Sequence, residues 1–425
     1  MKPNPWALLP LGVFLFTYTV ANISAGDFYK MPLTVAFIIA AVVALIPHRG
    51  KTLSARIEEF CRGSANPNIL LMILIFILAG AFAQTAQAMG AVEATVQLTL
   101  ALLPQKLLTA GLFVAACIIS LSVGTSVGTI VALTPVAAGL AQQTGIPVPL
   151  MAAAVISGAM FGDNLSVISD TTIAATRTQG CEMADKFKTN LRMVIPFAFL
   201  TFILYMLTPY NPADSLPSAP IAWLKVVPYA AVLAAALSGM NVLLVLLCGT
   251  LFCGLLGLGL GTFDGWGWAG ALNTGIQNMG ELIIVSLLAG GILEMIRLNG
   301  GLEWLLSQTK RHIHSRKGAE YGMAALVSFA NLCTANNTIA LIITGPMAKD
   351  IAGQFHISPK RAASLLDIFS CVVQGLLPYG AQLLMAAGLA DVSPLALMRY
   401  LYYPYLLGLG ALVSIWIGFP RANTR

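Results

Sequence analysis

Long apolar stretches separated by short polar ones run the length of the chain. Ile69–Gln84, and Val226–Leu260 with one short break, exceed any core helix of a soluble domain. The runs are continuous rather than alternating, which predicts helices and excludes a β-barrel. The pattern predicts plain spans near 6–23, 31–47 and 68–89. An apolar hairpin follows over 108–142, broken at 123–128. An interrupted span starts near 148, breaks around Gly162–Ser169 and ends before Arg177, and a last span lies near 190–208. The same order then recurs. Spans fall near 223–239, 241–258 and 278–297, a hairpin over 320–352 breaks at Thr334–Asn337, a span over 360–388 breaks near Pro378–Gly380, and the last lies near 398–419.

Local sequence repeats too. FILAGAF at 76–82 is echoed by SLLAGGI at 286–292, GAVE at 90–93 by GGLE at 300–303, and Thr129–Leu133 by Thr338–Ile342, at an offset near 210 residues. The chain divides into repeats over 1–212 and 213–425. Two related halves in so apolar a chain are the pattern of secondary transporters, whose sites lie where the halves meet.

Charge sets the expected orientation. With the N-terminus cytoplasmic and both hairpins re-entrant, basic residues gather in cytoplasmic loops: 48–67, 177–192 (Arg177, Lys186, Lys188, Arg192), 297–318, 349–361 and the tail. The outer loops 24–30, 90–106, 210–222, 259–277 and 389–397 hold few. A hairpin that crossed would carry 177–192 outside. The re-entrant arrangement leaves five crossings per half, an odd number, so the second repeat is inverted. The fold class is therefore an all-α polytopic membrane protein of about ten spans in two inverted repeats, with both termini cytoplasmic. Backbone exposed at the four breaks is tolerated only inside protein or beside water, so the breaks should converge near the midplane.

Composition agrees: hydrophobic residues make up 58% and charged residues 9%. The net charge of +6 is an orientation signal rather than a nucleic-acid footprint. Seven cysteines, several inside apolar runs, show no metal or disulfide spacing. The N-terminal stretch is expected to be a span rather than a cleaved signal, because its counterpart 223–239 lies in mid-chain. No cofactor is expected beyond sodium as substrate or coupling ion.

The chemistry-bearing residues fall at the breaks. Ser122–Thr129 reads SVGTSVGT, where glycines let the chain leave the helix and Thr125, Ser126 and Thr129 supply hydroxyls. Freed carbonyls add oxygens of the kind hard cations want. The alternative is a small-residue packing seam. Gly162–Thr172 reads GDNLSVISDTT and holds Asp163, Asn164, Ser169, Asp170 and Thr171. A charge at membrane depth costs roughly 2.5–3.5 kcal/mol on insertion scales, so two acids in one span need a reason, such as cation binding and proton cycling. Asp170 has the alternative reading of a helix cap. The second half offers Thr334, Asn336 and Asn337 at its hairpin, and Asp367, Gln374, Tyr379 and Gln382 in its broken span. Gln374 stands opposite Asp163 in the repeat, so the halves pair an acid with an amide. Asp367 is read either as functional or as a shallow partner of Lys360–Arg361. Gln84, Gln87, Glu281 and Glu294 read as interhelical or interfacial contacts, and His48, His312, His314 and His356 as loop residues.

GTSVGT, an apolar helix and then ISGAMFGDNLSVISDTT, between Gly124 and Thr172, resemble the NhaC-type sodium/proton antiporter family. That resemblance implies sodium-linked secondary transport in an inner membrane. At matching positions it points to Thr125, Ser126, Asp163 and Asn164 as sodium ligands, with Ser169, Asp170 and Thr171 beside them. Relatives of that family also include carriers of organic acids and amino acids. Two readings follow. One is exchange of sodium for protons at Asp163. The other is a sodium- or proton-coupled carrier of a small organic solute, motivated by the neutral amides. An intramembrane aspartyl protease, suggested by Phe161-Gly162-Asp163, needs two carboxylates that share a proton, usually from different helices. Asp170 follows on the same broken span, Asp367 is the only other candidate, and Met160 breaks a Gly-x-Gly-Asp pattern, so the chain is not expected to be an enzyme. Sodium, protons and the bilayer are the expected partners, with a homodimer plausible and no nucleic acid.

Overall fold

A computed structural model describes residues 3–25, 31–46, 52–123, 125–166, 169–209, 222–238, 240–301, 303–304, 307–308 and 313–419. The first half forms helices α1 (Leu9–Ala25), α2 (Leu33–Ala44), α3 (Leu53–Ser64), α4 (Pro67–Met89), α5 (Ala91–Leu102), α6 (Leu108–Val123), α7 (Ser126–Thr144), α8 (Val148–Leu165), α9 (Asp170–Gln179) and α10 (Met183–Leu207). The second half forms α11 (Trp223–Leu237), α12 (Val242–Gly259), α13 (Gly265–Asn278), α14 (Gly280–Leu298), α15 (Arg316–Thr334), α16 (Asn337–Gln354), α17 (Pro359–Leu376), α18 (Ala381–Ala390) and, after a short turn of helix, α19 (Tyr402–Ile417).

All four expected breaks are present, between α6 and α7, α8 and α9, α15 and α16, and α17 and α18. Three of the loops are not loops. Residues 48–67, 90–106 and 259–277 contain α3, α5 and α13. Each was hidden by its ends. Gly90, at φ +83°, turns the chain from α4 directly into α5. Thr52 and Asp264 accept from backbone amides at the starts of α3 and α13.

Six helical stretches among the described residues are long and apolar enough to cross a membrane: 69–89, 148–165, 183–207, 242–259, 265–298 and 359–390. Shorter apolar helices, among them α2, α6 and α19, pack around them. Apolar side chains such as Phe199, Leu255 and Leu409 point outward, as a lipid-facing surface requires.

The halves exchange contacts reciprocally. α3 packs on α14 as α13 packs on α4, and α9 packs on α16 as α18 packs on α7. A Cβ on Gly63 would strike the Gly290 carbonyl, and one on Gly80 would strike the Gly275 carbonyl. Gly290 is the counterpart of Gly80 at the 210-residue offset, and Gly275 lies two residues beyond that of Gly63. The same kind of glycine crossing thus joins α3 to α14 and α13 to α4. Both pairs are glycine on glycine because the helix backbones touch. The exchange also sets each half's short broken-helix segment against the other half's hairpin.

Candidate ion-binding site

The site begins with α8. Gly158 and Gly162, one turn apart, face α6 so closely that side chains there would strike Phe113, Ala116 and Ser120. This seam fixes the helix that carries Asp163. The Gly162→Ala variant places a Cβ 2.5 Å from the Leu121 amide nitrogen and closer still to Ser120 Cβ. It is expected to lose about 1–3 kcal/mol by overpacking, read as a lower melting temperature of the purified protein.

A polar chain crosses from Asp163 into the second half. Ser126 Oγ donates to Asp163 Oδ2 at 3.1 Å, and Gln382 Nε2 donates to Ser126 Oγ at 3.0 Å. Gln374 Nε2 donates to Gln382 Oε1 at 2.8 Å and to the Ala335 carbonyl at 3.2 Å. Ser126, Asp163, Ala335 and the Gln374–Gln382 pair come one from each of the four breaks, so the breaks converge as expected. All four side chains are buried. Polar capacity remains beside this chain. Asn164 Oδ1 and Nδ2, Gln374 Oε1 and Asn337 Nδ2 are buried with no protein partner. Unsatisfied buried amides are costly; the two oxygens among them, Asn164 Oδ1 and Gln374 Oε1, are of the kind a cation takes, whereas the two Nδ2 groups are donors.

The other candidates do more local work. Thr125 stands in extended conformation (φ −142°, ψ 128°) ahead of α7, and its carbonyl accepts from Thr129 Oγ1 at 3.1 Å. Ser169 Oγ donates to the Asp163 carbonyl at 3.1 Å and accepts the Thr172 amide as the α9 cap. Thr171 Oγ1 lies 2.9 Å from Ser169 Oγ. Thr334 donates to the Asn336 carbonyl, and Asn336 caps α16 through the Ile339 amide. Asp170 opens α9 in the backbone, but its side chain lies outside the described residues, as do His48 and His312. Glu294 pairs with Arg297, and Glu281 accepts from Thr34 at 2.9 Å.

One reading is corrected. Asp367 is not a shallow partner of Lys360–Arg361. It is fully buried and pairs with Lys186 at 2.7 Å, with side-chain exposures of 0% and 1%. Arg361 pairs instead with buried Glu320. Lys186 does not sit in a solvated basic loop, because α10 begins at Met183. Lys186, Asn190 and Met193 fall at i, i+4 and i+7 and extend the buried face of α10. Lys186 Nζ also donates to the Asn164 carbonyl at 2.8 Å and to Thr172 Oγ1 at 2.6 Å. Asn190 Nδ2 donates to Asp367 Oδ2 at 2.9 Å and to the Asn164 carbonyl at 3.0 Å. The only sequence signal for this second cluster was the polar continuation of an apolar helical stripe.

A cavity of roughly 1010 Å³ opens on the other side of the Asp163 chain. It is lined by Glu93, Glu281 and Asp391, by Gln84, Gln87, Gln142, Gln143 and Asn278, and by no described Lys, Arg or His. Its floor reaches Ala387 on α18. That is five residues from Gln382, or about 7.5 Å along a helix.

An all-α polytopic membrane protein, with a buried carboxylate–hydroxyl–amide site at the crossing of two broken helices and two hairpins, is the class this geometry defines. The chain belongs to the Na+/H+ antiporter family, whose pattern matches it twice, over residues 7–209 and 210–420. It is 26% identical to the Na+/H+ antiporter NhaC of Bacillus subtilis, covering 97% of this chain and 98% of that one. It is 22% identical to a malate-2H+/Na+-lactate antiporter of the same organism, covering 98% and 96%. Among solved structures, the Alcanivorax borkumensis YdaH transporter covers 91% of this chain and 98% of its own at 16% identity, with a TM-score of 0.43.

Proposed function

We propose that this protein exchanges sodium for protons across an inner membrane by alternating access, with Asp163 as the carboxylate the two cations share. The observation that carries the reading is the buried contact of Asp163 with Ser126, next to the unpartnered Asn164 amide. Sodium takes oxygens from Asp163, Asn164, Ser126 and Thr125; a proton takes the Asp163 carboxylate alone. One carboxylate cannot hold both, so the fluxes are coupled by competition. Exchange of unequal charge is driven by membrane potential at about 2.3 kcal/mol per charge per 100 mV.

The cavity supports a cation rather than an organic anion. Three carboxylates and no described cation line it, which raises local cation concentration and repels malate-like solutes. The amides Asn337 and Gln374 keep an organic solute as the second reading, in line with the named activity of the second relative. The cavity is bordered by segments of the expected outer loops and the Lys186 and Arg361 clusters by the expected inner ones, so this conformation is open to the outside. The repeats are inverted, the hairpins are re-entrant, and both termini lie inside.

Two measurements test this. Sodium added to proteoliposomes holding a pH-sensitive dye is expected to move protons. A folded protein that stays silent to sodium and responds to a carboxylic acid overturns the assignment. Cys61, exposed on α3, is expected to react with a membrane-impermeant maleimide in inside-out vesicles and not in right-side-out ones; the reverse pattern overturns the orientation.

A further inference from the structure

The Lys186 ammonium is enclosed. Asp367 Oδ2, the Asn164 carbonyl and Thr172 Oγ1 surround it at 2.6–2.8 Å. They come from α17, the end of α8 and the start of α9. One of the three carries a negative charge and one is a main-chain oxygen at a helix break. An ammonium has three protons, and each has its own oxygen here. The oxygens are not used up. Asn164 Oδ1, on a residue already in this shell, is buried with no protein partner, and the Asp367 carboxylate has the Thr171 side chain as a further neighbour. A plain structural ion pair needs neither the main-chain oxygen at the break nor the spare one.

We propose that the oxygens around Lys186 form a second monovalent-cation site, beside the Asp163 site and sharing Asn164 with it, for which the Lys186 ammonium is a tethered competitor. A lysine ammonium and a sodium ion carry the same charge and seek the same oxygens. While Lys186 is seated, the second position is filled at no cost in transported ions. When α10 moves relative to α17, the cage releases its lysine and accepts a free cation in its place. Lys186 thereby sets how many cations the protein holds in each conformation. The inference borrows from the exchange reading only that a monovalent cation reaches this depth.

Equilibrium binding of radiolabelled sodium to purified protein at alkaline pH tests it. The Lys186→Met variant is expected to bind one more sodium per chain than wild type. The Lys186→Met/Asp367→Asn variant is expected to return to the wild-type count. An unchanged count in folded Lys186→Met, or an extra sodium that persists in the double variant, overturns the proposal. Should Lys186→Met be recovered folded only from sodium and not from choline, the cage has taken the ion; failure in both salts, with the double variant folded, counts against it. Asp163→Asn/Lys186→Met is expected to keep the added sodium whether or not Asp163 exchanges protons, so the two readings fail separately.

Discussion

Replacing Asp163 by asparagine is expected to reduce sodium-evoked proton movement to that of empty liposomes. The substitution is nearly isosteric, and the asparagine oxygen still accepts from Ser126 Oγ, which holds the carboxylate at 3.1 Å in the native protein. The α6–α8 seam at Gly158 and Gly162 is untouched. What disappears is the charge that a cation needs and the titratable oxygen that a proton needs. Folding is therefore expected to survive, with the melting temperature close to wild type but no longer raised by sodium. Ser126→Ala is expected to be milder. It cuts the chain between Gln382 and Asp163, weakening sodium affinity while leaving a carboxylate to protonate. Dye-loaded proteoliposomes measure both variants. Wild-type exchange in Asp163→Asn would remove Asp163 from the mechanism.

Breaking the Lys186–Asp367 pair from one side is expected to have the largest effect on stability. Asp367→Asn leaves an ammonium with 1% exposure facing neutral partners. Removing one member of a buried pair costs about 3–5 kcal/mol, whereas replacing both is often neutral. The single variant is therefore expected to melt well below wild type, and Lys186→Met/Asp367→Asn to recover most of the loss. Thermal unfolding in detergent completes the double-mutant cycle. Equal, additive losses would mean that the two side chains do not depend on one another. Asn190 and Ser364 extend the same network, so the recovery is expected to be incomplete.

How much of the site could be read in advance depended on whether the signal was local. The break at Asp163 was legible, because GDNLSVISDTT interrupts an apolar run and a charge there has few explanations. The hairpin tip at Ser126 was legible for the same reason. Lys186 was not: DKFKTNLR reads as a basic loop until α10 is known to start at Met183. Asp367 reads from the sequence either as functional or as a shallow partner of Lys360–Arg361, yet its ion-pair partner, Lys186, is remote in the chain. Charge pairs in a bundle are chosen by helix packing, and sequence proximity carries no information about that.

The sequence by itself determined the helical class, the membrane setting, the internal repeat and the four places where helices break, because each follows from runs, glycines and polar residues along a few turns of chain. Only the tertiary structure decided which breaks touch. Asp163 meets Ser126 because α7 and α8 of the first half pack on one another, and through Ser126 it reaches Gln382 and Gln374 because each half sets its short broken-helix segment against the other half's hairpin. It likewise decided that Lys186 lies inside and that the cavity is walled by acids from separate helices. Those contacts join residues far apart in the chain, and close packing of whole helices, not any local pattern, brings them together.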